Sequence, residues 1–116
     1  MALPNIINVS AIYGYSTGKV LSTGSQDIVT NITDQSLKVN TIMCANVSGT
    51  SQAVTVYYYE SQSTTQFAIV YQLIVPANST LDVLVRPIYL KENDKIQALA
   101  GANTSVHIIL SYETIA

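Results

Sequence analysis

Apolar and polar residues alternate in short runs along much of this chain. In the run 106–112, for example, Val106, Ile108 and Leu110 alternate with His107 and Ser111. A period of two is typical of a β-strand that buries one face and exposes the other. The side chains that this alternation predicts to face a common core are Leu81, Val83 and Val85; Ile96, Ala98 and Ala100; and Val106, Ile108, Leu110 and Tyr112.

Turn-forming residues separate these runs at short intervals, and no run has the spacing of an amphipathic helix. The predicted turns, rich in Gly, Asn, Ser, Thr and Pro, are 14–18, 23–25, 33–36, 48–51, 61–65, 76–79, 92–94 and 101–104. We therefore predict an all-β fold, an antiparallel β-sandwich of about eight or nine strands with a jelly-roll or immunoglobulin-like strand order. Residues 9–116 are expected to form its single domain, and residues 1–8 an extended N-terminal arm.

The predicted strand 52–60 carries aromatic side chains on its outer face. Val54, Val56 and Tyr58 alternate toward the core, which leaves Tyr57 and Tyr59 pointing outward. A tyrosine can bury about 150–250 Å². Two outward tyrosines on one strand therefore suggest a surface that another molecule covers.

The predicted strand 66–75 is apolar on both faces. One face carries Phe67, Ile69, Tyr71, Leu73 and Val75, and the other carries Ala68, Val70, Gln72 and Ile74. Strands of this kind are usually buried on both faces, but a small sandwich has only one interior. A bulge could shift the register, a loop could cover the second face, or another molecule could bind there. We favour a subunit contact formed by Tyr57, Tyr59, Val70 and Ile74; exposed tyrosines would also suit glycan binding.

Charged residues are scarce in this chain. Of its 116 residues, 48% are hydrophobic and 10% are charged, whereas about a quarter are charged in a typical soluble domain. The formal net charge is −2 and the five basic residues are scattered, which argues against nucleic acid as a partner. The N-terminus has no secretory pattern, and the longest apolar stretch, 67–75, is too short to cross a membrane. We expect a soluble protein made in a cytoplasm.

No arrangement of side chains in the sequence suggests catalysis or metal binding. The single histidine, His107, has no nucleophile motif beside it, and the single cysteine, Cys44, lies in an apolar run typical of a buried, inert thiol. The segment 92–94 could hold calcium, but a tight turn with Asn93 in the left-handed conformation is the simpler interpretation. We predict that the protein is not an enzyme and uses no cofactor or metal.

The last third of the chain carries a series of recognisable motifs. Residues 75–81 read V-P-A-N-S-T-L, residues 90–96 read L-K-E-N-D-K-I, and residues 111–115 read S-Y-E-T-I. This series resembles small β-sandwich structural proteins of tailed bacteriophages, especially those that infect cyanobacteria. Those proteins commonly have glycine where this chain has Asn78 and Asn93, and asparagine tolerates the same positive φ.

The resemblance implies a non-enzymatic virion protein, synthesised in the host cytoplasm, that binds to copies of itself as a trimer or larger ring. It implies a capsid decoration or cement protein that also contacts other virion proteins such as the major capsid protein, or alternatively a neck or tail component. A carbohydrate-binding, receptor-binding module is a further alternative. We predict that the arm adds Leu3, Pro4 and Ile6 to the contact surface. Neither nucleic acid nor a membrane is expected as a partner.

Overall fold

The computed structural model of the protein describes residues 12–32 and 35–115, and this part of the chain is all-β. The predicted arm 1–8, with Leu3, Pro4 and Ile6, lies outside the described residues. The described strands are β1 (Ile12–Val20), β2 (Gln26–Thr30), β3 (Ser36–Asn46), β4 (Gln52–Glu60), β5 (Thr65–Val75), β6 (Thr80–Asp82), β7 (Ile88–Leu90), β8 (Lys95–Ala100) and β9 (Val106–Ile115). The prediction of an antiparallel sandwich is confirmed.

The strands form two sheets with a nested order of pairing. Sheet A has the order β1-β9-β3-β6, with β7 also paired to β3, and sheet B has the order β2-β8-β4-β5. The first strand thus pairs with the last, β2 with β8, β3 with β6 and β7, and β4 with β5, all antiparallel. This is the arrangement of a long hairpin rolled into two facing sheets, the jelly roll. The strand order therefore decides between the two alternatives that periodicity left open.

Most of the predicted core positions are buried between the sheets. Val54, Val56, Ile96, Ala98 and Ala100 of sheet B meet Val106, Ile108 and Leu110 of sheet A, and all are at most 1% exposed. Tyr58 and Tyr112 pack at the margin of this core.

The prediction that Val85 faces the core is wrong, because Val85 is 93% exposed. Strand β6 ends at Asp82, and its carboxylate accepts a hydrogen bond from the backbone N–H of Leu84. Val83 and Leu84 are consequently both buried, so the alternation is broken before Val85.

The prediction of a turn at 14–18 is also wrong. These residues lie in the middle of β1, which pairs with β9 residue by residue from Ile12 to Val20 without a register shift. Continuous cross-strand pairing holds the two glycines in an extended conformation that their sequence does not favour.

Strand β5 contains the bulges that explain its two apolar faces. Its register with β4 shifts between Val54 and Val56 and again between Val56 and Tyr57. Val70, predicted to point outward, is therefore paired with the buried Val56 and packs against the core. The predicted outward orientation of Val70 is thus wrong, because each extra residue in a strand reverses the face that the following side chains occupy.

Candidate assembly surfaces

Tyr57 and Tyr59 lie half-buried on the outer face of sheet B. Tyr57 is opposite Gln97 of β8, and Tyr59 is opposite Lys95, whose Nζ lies 5.5 Å from the centre of the Tyr59 ring. An ammonium over an aromatic face is an attractive cation–π arrangement. The two tyrosines are thus positioned as predicted, although polar neighbours already cover part of each ring.

A chain of hydrogen bonds runs across the same face beside the tyrosines. Gln66 donates to Gln97 over 2.7 Å, and Gln97 donates to Asp27 over 2.8 Å. The hydrogen bond from Gln97, reinforced by Lys95, lowers the pKa of the Asp27 carboxyl below its usual value. These polar groups therefore satisfy one another's hydrogen bonds within sheet B.

Ile74 is the most exposed of the predicted contact residues on this sheet. Its side chain is 58% exposed and pairs with Ala53 near the end of β5. A lone exposed isoleucine is common on protein surfaces, so Ile74 supports a contact only together with the tyrosines on the same face of sheet B. Whether this group contacts a subunit stays a prediction.

An apolar cleft that the sequence pattern did not indicate opens between β5 of sheet B and β7 of sheet A. Its volume is about 340 Å³, and Tyr58, Phe67, Ala68, Ile69, Ile88 and Tyr89 line it. The rings of Tyr58 and Phe67 stack with their centroids 6.2 Å apart. Phe67 and Tyr89 are each about half exposed. The short β7, only three residues long, gives no periodicity from which this cleft could be predicted.

The edge of sheet A at β1 carries a second group of exposed aromatic side chains. Tyr13 is 59% exposed and Tyr15 is 49% exposed, although both lie on the same side of the sheet as the core. Tyr15 stacks on Tyr112 of β9 with ring centroids 5.4 Å apart. The sequence predicts a turn at 14–18, so the pattern of residues does not indicate this surface.

The outer face of sheet A carries a smaller apolar patch next to His107. Val20, Ile109 and Met43 are each partly exposed there, and β1, β9 and β3 bring them onto adjacent strands. His107 pairs with Val20 and Ala45, neither of which could act as a nucleophile or orient the imidazole. Nothing in this patch has the geometry of a Ser–His–Asp arrangement.

Buried polar groups in the structure are occupied by structural hydrogen bonds. Burial raises the pKa of the Cys44 thiol to about 12, so this cysteine is unreactive at neutral pH. Asp94, in the segment 92–94, accepts hydrogen bonds from the Tyr58 hydroxyl and from the backbone N–H groups of Ser61 and Lys91. Among residues 12–32 and 35–115, no three His, Cys, Asp or Glu side chains come together as a metal site requires. The described residues also contain no helix that could span a membrane.

The fold is similar to those of two proteins that form large assemblies. One is a chain of Bacillus endospore appendages, a family of disulfide-linked pili, with 13% identity, a TM-score of 0.57, and coverage of 91% of this chain and 87% of that chain. The other is a chain from the acid-stable capsid of Helicobacter pylori bacteriophage KHP30, with 12% identity, a TM-score of 0.57, and coverage of 93% and 90%. No protein-family model matches this chain, and no curated protein matches it in sequence. At this level of identity the likeness concerns the fold alone.

Proposed function

We propose that the protein is a non-enzymatic structural component of a virion, and specifically a capsid decoration or cement protein of a tailed bacteriophage. The observation that carries the proposal is the amount of exposed apolar surface on a chain with so few charges. Large apolar side chains are exposed on the outer faces of both sheets, at the β1 edge and around the β5–β7 cleft. Exposed apolar surface of this kind is typical of proteins that form contacts with other protein subunits.

The fold and the sequence motifs support the same proposal independently of that surface. Jelly rolls are common in viral capsid proteins, and one of the similar chains comes from a phage capsid. A jelly roll also serves unrelated functions. The resemblance of the C-terminal motifs to phage structural proteins is therefore the more specific support. A neck or tail location fits the same observations and is distinguished by where the protein is found on the particle.

We place the main contact on the outer face of sheet B, at Tyr57, Tyr59 and Ile74, extended by Leu3, Pro4 and Ile6 of the arm. Val70 does not belong to it, because this side chain packs against the core. An interface of standard size hides about 800 Å² on each partner. The three sheet residues supply only part of that area, so the arm or a second surface must supply the rest.

The virion assignment is tested by purifying particles from the source of the sequence through a density gradient. Peptides of this chain should be found by mass spectrometry in the fractions that contain intact particles. Labelling with an antibody raised against the purified protein should mark the capsid surface under the electron microscope. Detection only in particle-free fractions would contradict a virion role, and labelling confined to the neck or tail would replace the decoration assignment.

The contact surface is tested by substituting Tyr57→Asp together with Ile74→Asp. The double variant should lose binding to particles that lack the native protein, because two charges would be buried without partners. Val85→Asp is the matched control, since Val85 is exposed and lies outside the proposed contact. Circular dichroism should show that both variants remain folded. Unchanged particle binding by the folded double variant would show that the contact lies elsewhere.

Glycan binding is a second candidate function, favoured by the β5–β7 cleft. Tyr89 of β7 and Phe67 of β5 line it with half-exposed rings. Tyr71, which is 65% exposed, lies farther along β5. Aromatic rings on a rigid sheet are suitable platforms for the apolar faces of sugars. A glycan array distinguishes the two functions: a sugar receptor should bind particular glycans and lose them in Tyr89→Ala, whereas a cement protein should bind none.

A further inference from the structure

The free sheet edges of this jelly roll are protected unequally. Exposed edges invite pairing with another chain, and proteins usually blunt them by shortness, bulges or charge. Strands β6 and β7 are only three residues long. Strand β2 has a register shift and carries Asp27, and β5 has two register shifts and a positive φ at Gln72. Each of these edges is therefore a poor template for another strand.

Strand β1 has only one of these protective features, a single charged residue near its end. It is nine residues long, contains no proline, pairs with β9 without a register shift, and has Lys19 near its end as the only charged residue. Among the described residues, no strand pairs with its outer edge. A long, regular edge strand with exposed aromatic side chains is the kind of edge on which another strand can pair.

The hydrogen-bonding groups on the outer edge of β1 can be identified from its pairing with β9. The N–H of Leu21 donates to the carbonyl of Val106 over 2.8 Å, one step beyond the pair Val20 and His107. In an antiparallel ladder, the residues that bond to one neighbour alternate with residues whose N–H and C=O point the other way. The odd-numbered residues of β1 therefore bond to β9. The outward-pointing groups belong to Ile12, Gly14, Ser16, Gly18 and Val20.

This set of groups is complementary to itself. If two copies of β1 run antiparallel about a two-fold axis at Ser16, then Ile12 meets Val20, Gly14 meets Gly18, and Ser16 meets Ser16. Every outward N–H and C=O then finds its partner, since an even residue always faces an even one. The side chains are also compatible with this register, because apolar residues meet at its two ends and glycines meet on either side of its centre.

The same register covers the exposed aromatic residues. Tyr13 lies opposite Lys19 of the second copy and Tyr15 lies opposite Thr17, so no like charges meet. The two Tyr15 rings are diagonal neighbours, at about 7–8 Å between backbones, which is within reach of aromatic side chains. The pairing thus hides Tyr13 and Tyr15, which the single chain leaves about half exposed.

We propose that β1 is a homodimerisation edge, on which a second copy of this chain adds its own β1 antiparallel about Ser16 and joins the two A sheets into one. This inference deepens the proposed function by naming a self-contact beside the contact on sheet B. The two can fail separately, because pairing through β1 is measured with the purified protein alone, whereas the virion role and the sheet B contact are measured on particles.

The first test compares Ser16→Pro with Ser16→Ala by sedimentation velocity over a range of protein concentrations. The N–H of Ser16 points away from β9, so proline removes a donor from the free edge without breaking the ladder inside the chain. Ser16→Pro should weaken dimerisation by about tenfold or more, whereas Ser16→Ala keeps the N–H and should dimerise like the native protein. Thermal unfolding confirms that both variants are folded. Equal dimerisation of the two variants, or a native protein that stays monomeric at high concentration, would overturn the proposal.

The second test identifies the register by disulfide formation. Tyr15 and Thr17 of opposite copies form a pair without mutual backbone hydrogen bonds, with Cα atoms about 4.5 Å apart, which is within disulfide range. A mixture of Tyr15→Cys and Thr17→Cys proteins should form a disulfide-linked heterodimer on mild oxidation, and each variant alone should form little. Cys44 can be left in place because it is buried. Absence of the heterodimer, or equal cross-linking within each variant alone, would exclude the symmetric pairing about Ser16.

Discussion

At the scale of single residues, Asp94 fixes the turn between β7 and β8. One of its carboxylate oxygens accepts from the Tyr58 hydroxyl at 2.7 Å and from the Lys91 N–H at 3.1 Å, and the other accepts from the Ser61 N–H at 3.0 Å. Asp94 is 1% exposed, so these bonds compensate for the removal of its charge from water. The carboxylate thus ties the β4–β5 hairpin to the β7–β8 turn.

Asn93, the residue before Asp94, has a φ of 66°. Glycine adopts this left-handed conformation freely, asparagine tolerates it, and alanine is strained in it by about 1 kcal/mol or more. We expect Asn93→Gly to leave the free energy of unfolding within about 0.5 kcal/mol of the native value, and Asn93→Ala to lower it by about 1 kcal/mol. Urea denaturation measures both. Equal stability of the two variants would show that the turn relaxes to another conformation.

We expect Tyr58 to make the free energy of unfolding fall at alkaline pH. Burial, followed by the hydrogen bond to Asp94, raises the pKa of the Tyr58 hydroxyl above the ordinary tyrosine value of 10.0. Above about pH 10 the unfolded chain loses this proton while the folded protein keeps it. The folded state then binds more protons, so the stabilisation present below pH 10 is lost as the pH rises.

The expected result is a free energy of unfolding that falls more steeply above pH 10 in the native protein than in Tyr58→Phe. Urea denaturation at several pH values from neutral to alkaline measures the free energy of unfolding of both proteins. The difference between the two curves isolates Tyr58, because every other group is common to both proteins. Parallel curves would mean that Tyr58 titrates alike in the folded and unfolded chains.

At the scale of elements, the bulge in β5 decides which of its side chains face outward. Gln72 has a φ of 52°, and its N–H donates to the Thr55 hydroxyl over 3.0 Å. Thr55 lies on β4 and is 2% exposed. The hydroxyl therefore takes the place of a ladder acceptor at the point where two residues of β5 oppose one residue of β4.

Removing that hydroxyl should weaken the bulge. Thr55→Val keeps the shape of the side chain but leaves the Gln72 N–H without its acceptor, and we expect a loss of about 1–2 kcal/mol in the free energy of unfolding. Thr55→Ser is the matched control because it retains the oxygen. Hydrogen exchange at the Gln72 amide should accelerate in the valine variant only. Unchanged exchange there would show that the bulge does not depend on Thr55.

The elements also explain why the sequence predicted some surfaces correctly and others wrongly. Strands such as β8 and β9 keep a strict period of two, so their buried residues were predictable. In β5 the extra residues reverse the faces, and the period cannot show where an extra residue is inserted. In β1 the glycines suggested a turn, because pairing with β9, more than 85 residues away in sequence, is invisible to a local pattern. For these reasons the sequence does not indicate that Tyr13 and Tyr15 are exposed strand residues, and it wrongly predicts that Val70 points outward.

At the scale of the whole molecule, the nested strand pairing combines with a surface that is poor in charge. The order of strands was beyond prediction from sequence, since periodicity reports faces and not neighbours. The scarcity of charge, by contrast, can be counted directly from the sequence, and it favours an assembly role. Three ion pairs are found in the described part of the chain, Lys38–Glu113, Lys91–Glu60 and Lys95–Asp27, and all of them are at the surface. Because only 10% of the residues are charged, we expect apolar contacts and backbone pairing to contribute most of the stability of a complex.

This balance predicts how self-association responds to salt. Raising the ionic strength from about 0.1 M to 1 M shortens the screening length from about 10 Å to 3 Å, which weakens contacts between exposed charges and leaves apolar contacts intact. If the proposed homodimer forms, we expect its dissociation constant to rise by less than about threefold across this range, or to fall. Sedimentation equilibrium in increasing NaCl measures it, with Ser16→Pro as the reference of weakened dimerisation. Dissociation of the proposed dimer at 1 M NaCl would mean that ionic contacts hold it together, and neither β1 nor the exposed tyrosines could provide such contacts.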